Sequence, residues 1–152
     1  MADPSLIVSG EAAMLALGAR LAVCLRPGDV IALRGGLGAG KTTLARGMLS
    51  ALGLAEEAPS PTFAIVQPYD LTEVRLPVAH VDLYRLDDPA ECEELGLEEY
   101  RQDGVLLVEW PERLGDRLWA DALIIDIEPA EGGARRLTAS VPAAWKDRWP
   151  PK

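Results

Sequence analysis

Apolar residues recur at two distinct spacings along the chain. Between Glu11 and Leu25, Met14, Leu17, Leu21 and Leu25 fall at intervals of three and four, which predicts a helix with one face turned to a core. Ser9 stands where its cap belongs and Pro27-Gly28 where it stops. Val30 to Leu33 is instead an unbroken apolar run between Gly28-Asp29 and a glycine cluster, the pattern of a strand buried on both faces. Lys41 to Leu52 returns to helical spacing through Leu44, Met48 and Leu52, with Gly53 as its stop.

Ala58-Pro-Ser-Pro-Thr62 breaks regular structure, and beyond it Phe63 to Val66 and Val78 to Leu83 read as two strands joined as a hairpin through a polar turn at Asp70 and Thr72. Asp87-Asp88-Pro89 opens a short helix that ends before Gly96. Val105 to Val108 is a second fully apolar run and ends on Glu109-Trp110-Pro111. Leu123 to Ile127 and Arg136 to Val141 supply two further strands, joined across Glu131-Gly-Gly133. Early alternation of helix and strand with late hairpins predicts an α/β fold: a mixed parallel and antiparallel sheet flanked by helices.

At 152 residues the chain holds one domain, assigned to residues 1–142, followed by a short tail at 143–152. In that tail Trp145 and Trp149 either pack back on the domain or dock a partner. The net charge of −9 changes the picture of partners, because gripping a phosphate backbone requires a basic patch. Only Lys41, Lys146 and Lys152 are lysines, so autonomous nucleic-acid binding is not expected. Cys24 and Cys92 form no metal-binding pattern, and His80 has no second imidazole to share a metal with. The acidic run Glu91, Glu93, Glu94, Glu98 and Glu99 reads as a solvated face. No targeting leader and no uninterrupted apolar stretch of membrane-spanning length is apparent, which points to a cytoplasmic protein without membrane association.

Lys41, the one lysine in the body of the chain, ends the series Gly35-Gly-Leu-Gly-Ala-Gly40-Lys41-Thr42, which satisfies G-x-x-x-x-G-K-[ST] between a strand and a helix. Glycines let successive backbone N–H groups of Gly36, Leu37, Gly38, Ala39 and Gly40 curl around a phosphate, and the following helix N-terminus at Thr42 and Thr43 adds partial positive charge. In such a loop Lys41 bridges the β- and γ-phosphates of a nucleotide and the Thr42 hydroxyl ligates Mg²⁺.

Hydrolysis needs in addition a carboxylate at the end of a neighbouring strand. Glu109, closing the run Val105 to Val108, fits the role of holding the metal or its water, although Asp is commoner there. Asp82, at the end of Val78 to Leu83, could hold the metal or orient the attacking water. Alternation places His80, Asp82 and Tyr84 on one strand face; His80 reads as a satisfied polar residue, and Arg85 as a phosphate-facing cation or a partner of Asp87 or Asp88.

Gly35-Gly-Leu-Gly-Ala-Gly-Lys-Thr-Thr43, Ser60-Pro-Thr-Phe63, His80-Val-Asp-Leu-Tyr-Arg-Leu86 and Val108-Glu-Trp-Pro-Glu-Arg113, in that order and spacing, resemble the TsaE (formerly YjeE) family. The resemblance implies a P-loop NTPase-like fold and an ATPase required for N6-threonylcarbamoyladenosine (t6A) in tRNA. It further implies ATP and ADP as ligands, Mg²⁺ held through Thr42 and Glu109, and switch-like segments at 60–62 and 82–85. The implied partners are homologues of TsaD and TsaB, which form the threonylcarbamoyl transferase complex. By the same analogy Ser9 to Glu11 and Arg136 lie near the nucleotide. The chain departs from the family pattern at Gly36, usually Asp, and at Ala13-Met14, often Thr.

Two other readings of the residues are a small-molecule kinase and a nucleotide-gated binding module without useful hydrolysis. The first lacks an Arg-rich lid insert. A GTPase is disfavoured because the chain contains no Asn for an NKxD guanine signature.

Overall fold

The computed structural model describes residues 5–36, 38–55 and 65–152. These residues build one seven-stranded sheet in the order β1-β7-β6-β2-β5-β4-β3. Its strands are β1 (Ser5–Val8), β2 (Val30–Arg34), β3 (Val66–Tyr69), β4 (Val78–Asp82), β5 (Val105–Glu109), β6 (Leu123–Pro129) and β7 (Arg135–Ser140). β6, β2, β5 and β4 run parallel, whereas β3, β7 and β1 are added antiparallel at the edges. The mixed α/β architecture expected from the apolar pattern is thus the one observed.

The parallel centre follows from composition: every residue of β4 and β5 is buried, as strands covered on both faces require. One face carries helices α1 (Glu11–Cys24) and α2 (Lys41–Ala51), where Leu17, Leu21, Leu44 and Met48 pack on Ile31, Leu33, Leu107 and Ile125. The other face buries Val30, Val81, Leu106 and Val108 beneath Leu86 from the loop after β4, Leu97 from helix α3 (Leu97–Asp103) and Leu114 from a 3-10 helix.

α1 and α2 approach so closely that a Cβ on Gly47 would lie 2.4 Å from the Leu15 carbonyl oxygen, and one on Gly18 would lie 2.5 Å from that of Leu44. This contact fixes the start of α2 against the start of α1. The tail folds back on the same face: Trp145 is fully buried and Trp149 nearly so, both within the α1/α2 core.

Several boundaries differ from the pattern-based expectation. Ser9 does not cap α1; Gly10 holds that position at φ 87 and ψ 163, and the helix has no side-chain cap. α1 ends at Cys24 because Leu25 turns extended ahead of Pro27. β3 begins at Val66 and includes Pro68, which an edge strand tolerates because it needs no inward-facing N–H there. β1 and α3 were not expected: β1 is a four-residue edge strand, and α3 buries only Leu97 while exposing Glu98 and Glu99. The predicted break at 58–62, residues 63 and 64 of the predicted strand at 63–66, and Leu37 lie outside the described residues. No helix among the described residues is long and apolar enough to cross a membrane.

Candidate active site

β2 delivers the chain into the loop Gly35–Gly40, and α2 begins at Lys41. Gly40 is left-handed at φ 112, a conformation that lets the loop turn its amides inward before the helix starts. The Lys41 ammonium folds back on this loop, donating to the carbonyl oxygens of Gly35 at 2.7 Å and Gly36 at 2.9 Å, and lies 4.3 Å from the centre of the Trp110 ring. Burial pulls its pKa down, while Glu109, Glu112 and Asp82 oppose that shift.

Two carboxylates converge on the same point. Asp82 and Glu109 are register partners at the ends of the adjacent parallel strands β4 and β5, so both side chains project toward the start of α2. The Thr42 hydroxyl lies 3.1 and 3.2 Å from the two Glu109 oxygens. His80 Nε2 lies 2.6 Å from Glu109 Oε2. Asp82 Oδ1 accepts the Tyr84 N–H at 2.9 Å, and burial followed by the nearby Glu109 charge raises its pKa above the ordinary aspartate value.

Trp110, directly after Glu109, is a non-glycine residue in left-handed backbone conformation (φ 60), which places its ring 5.0 Å from that of Tyr84 and under the lysine. Such strain is tolerated where the surroundings over-determine it, commonly at functional sites. Among the described residues no three His, Cys, Asp or Glu side chains form a preformed metal cage. A divalent ion here would take Thr42 and Glu109 plus oxygens from a phosphate, the manner in which Mg²⁺ is usually held.

A cleft of about 410 Å³ opens beside the loop, within the range of small-molecule sites. Gly38, Ala39, Gly40 and Thr43 form its floor; Gly10, Glu11, Met14 and Arg46 form one wall, and Gly133 and Arg135 the other. The structure therefore brings Lys41, Thr42, Asp82 and Glu109 together, with Glu11, Gly38, Ala39, Gly40 and Thr43 beside them. Gly36 faces the opposite side of the loop. Ser9 is exposed and Arg136 points away from the cleft; neither lines it.

Arg135 occupies the position expected of Arg136 and donates to the Ala39 carbonyl oxygen at 3.2 Å. Period-two alternation carries the signal, because Arg135 shares parity with the buried Leu137 and Ala139. His80 also belongs to the site: it is fully buried and only half satisfied, since among the described residues its Nδ1 has no hydrogen-bond partner.

A Gly-rich strand-to-helix loop, a lysine and threonine at the helix start and an acidic residue at the end of the neighbouring parallel strand define a P-loop NTPase-like α/β protein. A family model described as "Threonylcarbamoyl adenosine biosynthesis protein TsaE" matches residues 8–137. Curated relatives named tRNA threonylcarbamoyladenosine biosynthesis protein TsaE include one from Bacillus subtilis, 43% identical over 114 residues that cover 74% of this chain and 70% of the relative. Another, from Streptomyces coelicolor, is 43% identical over 120 residues, 78% of this chain and 81% of the relative. The crystal structure of Bacillus subtilis YdiB superposes with a TM-score of 0.78 at 31% identity, covering 93% of this chain and 87% of that one. The chain belongs to the TsaE family.

Proposed function

We propose that this protein is a Mg²⁺-dependent ATPase that serves tRNA t6A modification by acting on the TsaD–TsaB complex. The observation that carries the reading is the contact between the Thr42 hydroxyl and the Glu109 carboxylate, at 3.1 Å, at the mouth of a P-loop. That pair is the donor set a phosphate-bound Mg²⁺ takes from a protein.

Mg²⁺, when bound with the nucleotide, neutralises charge on the phosphate oxygens. The remaining work falls to the chain. Amides of Gly38 to Lys41 and the α2 N-terminus bind the phosphates. Lys41, whose ammonium is held inside the loop by the carbonyls of Gly35 and Gly36, would bind the β- and γ-phosphates, where charge develops during transfer. Asp82, buried and with Oδ1 anchored by the Tyr84 amide, orients the attacking water. Glu11, Arg46 and Arg135 line the side of the cleft where the nucleoside extends. With a net charge of −9, contact with tRNA is left to the partners.

ATP turnover with Mg²⁺, alone and with TsaD–TsaB added, tests the reading. Stimulation by the complex is expected, and Lys41→Ala should reduce turnover by about 10²- to 10³-fold. Absence of stimulation, together with unaltered turnover in Lys41→Ala, would overturn it.

A further inference from the structure

The buried imidazole of His80 is costly to keep where it is. β4 is buried throughout, and the neighbours of His80 along it, Ala79 and Val81, are apolar. A packing role at this position would be met by an aliphatic side chain, without a ring nitrogen that finds no partner. What the imidazole does have is one short contact, Nε2 to Glu109 Oε2 at 2.6 Å, with both side chains nearly or fully out of solvent.

We infer that His80 is a positioning residue that sets the orientation of the Glu109 carboxylate for the metal. The inference rests on the reading that Glu109 holds Mg²⁺. An ionised carboxylate can only accept, so Nε2 carries the proton and donates to Oε2. Glu109 ends its strand, and a carboxylate there could rotate about its own side-chain torsions. With Oε2 tied to His80 from within the sheet, the carboxylate is held with both oxygens beside the Thr42 hydroxyl, Oε1 at 3.1 Å and Oε2 at 3.2 Å. The two metal-facing oxygens are thereby held at one point before any ion arrives. Hydrogen-bonded partners of this kind behind a ligand typically change metal affinity by about 10- to 100-fold when removed.

The test measures affinity for a non-hydrolysable ATP analogue by calorimetry across a Mg²⁺ titration, with the full-length protein. His80→Leu keeps the bulk and removes the donor; His80→Gln keeps an amide donor that can reach Glu109. The expected result is a loss of about 10- to 100-fold in apparent Mg²⁺ affinity for His80→Leu, with nucleotide affinity in chelator unchanged. His80→Gln should recover most of the loss. The thermal midpoint of each variant confirms that it folds. If the Leu variant does not fold, His80→Asn, whose shorter amide falls short of Glu109, replaces it.

Unchanged Mg²⁺ affinity in His80→Leu, or equal weakening with and without Mg²⁺, overturns the inference. Glu109→Gln separates the two levels. If Glu109→Gln loses Mg²⁺ affinity while His80→Leu keeps it, the positioning role alone is wrong; if neither loses it, the metal reading of Glu109 fails as well.

Discussion

Two buried charge clusters sit at opposite ends of the parallel strands, and they are built on opposite principles. At the N-terminal end, Asp29 precedes β2 and receives both guanidinium nitrogens of Arg148 from the tail, at 2.7 and 3.0 Å. Arg148 also donates to the Cys24 carbonyl at 2.8 Å and stacks 3.9 Å from the Trp145 ring, while Asp29 accepts the Arg26 amide at 2.7 Å. Each charge meets its opposite in fixed geometry. At the C-terminal end, two carboxylates lie side by side, the lysine is turned onto carbonyls, and an imidazole nitrogen has no partner among the described residues. The first cluster is complete as it stands. The second, among the described residues, is not closed in this way, and departures from local complementarity of this kind concentrate at functional sites.

The contrast makes unequal predictions. Arg148→Ala removes one partner of a buried pair and strands Asp29, which should cost about 3–5 kcal/mol. For a chain of this size that lowers the thermal midpoint by roughly 6–20 °C, readable by calorimetry, with little effect on nucleotide affinity. Lys41→Ala should do the reverse: the loss of about 10²- to 10³-fold in turnover corresponds to about 2.7–4 kcal/mol of transition-state stabilisation, with the fold largely undisturbed.

Asp82→Asn should have the smallest effect on the fold, and of opposite sign. Burial raises the Asp82 pKa in the folded protein, so above the ordinary aspartate range the ionised side chain costs stability. Asn lacks that charge, and the variant should be more stable than the wild type near neutral pH. The gain should shrink as pH falls through the raised folded value and vanish once both states are protonated. Denaturant midpoints for the two proteins between pH 7 and pH 3 would show it, and a gain that grew on acidification would contradict the assignment.

The P-loop was legible in the sequence because every element of it is local: strand, loop and helix are contiguous from Val30 to Ala51. Glu109 and Asp82 were legible as ends of apolar runs, but their pairing depends on β5 lying between β2 and β4, which no single segment encodes. For the same reason the His80 contact could not be read; it joins residues 29 positions apart. The resemblance implied Arg136 near the nucleotide, whereas the alternation of β7 puts Arg135 on the face of the buried Leu137 and Ala139, beside the cleft. Ser9 lost the cap to Gly10, whose extended left-handed backbone is open to glycine and which itself lines the cleft. The two roles open to the tail tryptophans in the sequence are separated by a contact between residues far apart in the chain, Arg148 on Asp29, which holds Trp145 and Trp149 in the core.

The central claim is that the cluster around Lys41 is incomplete without a metal-bound nucleotide. It is tested most directly by the thermal midpoint with and without Mg²⁺ and a non-hydrolysable ATP analogue, for the wild type and for Lys41→Ala. At about 100 times the dissociation constant the analogue should stabilise the wild type by about 2.7 kcal/mol, and the variant by much less. Equal stabilisation of both proteins, or of neither, would contradict the account.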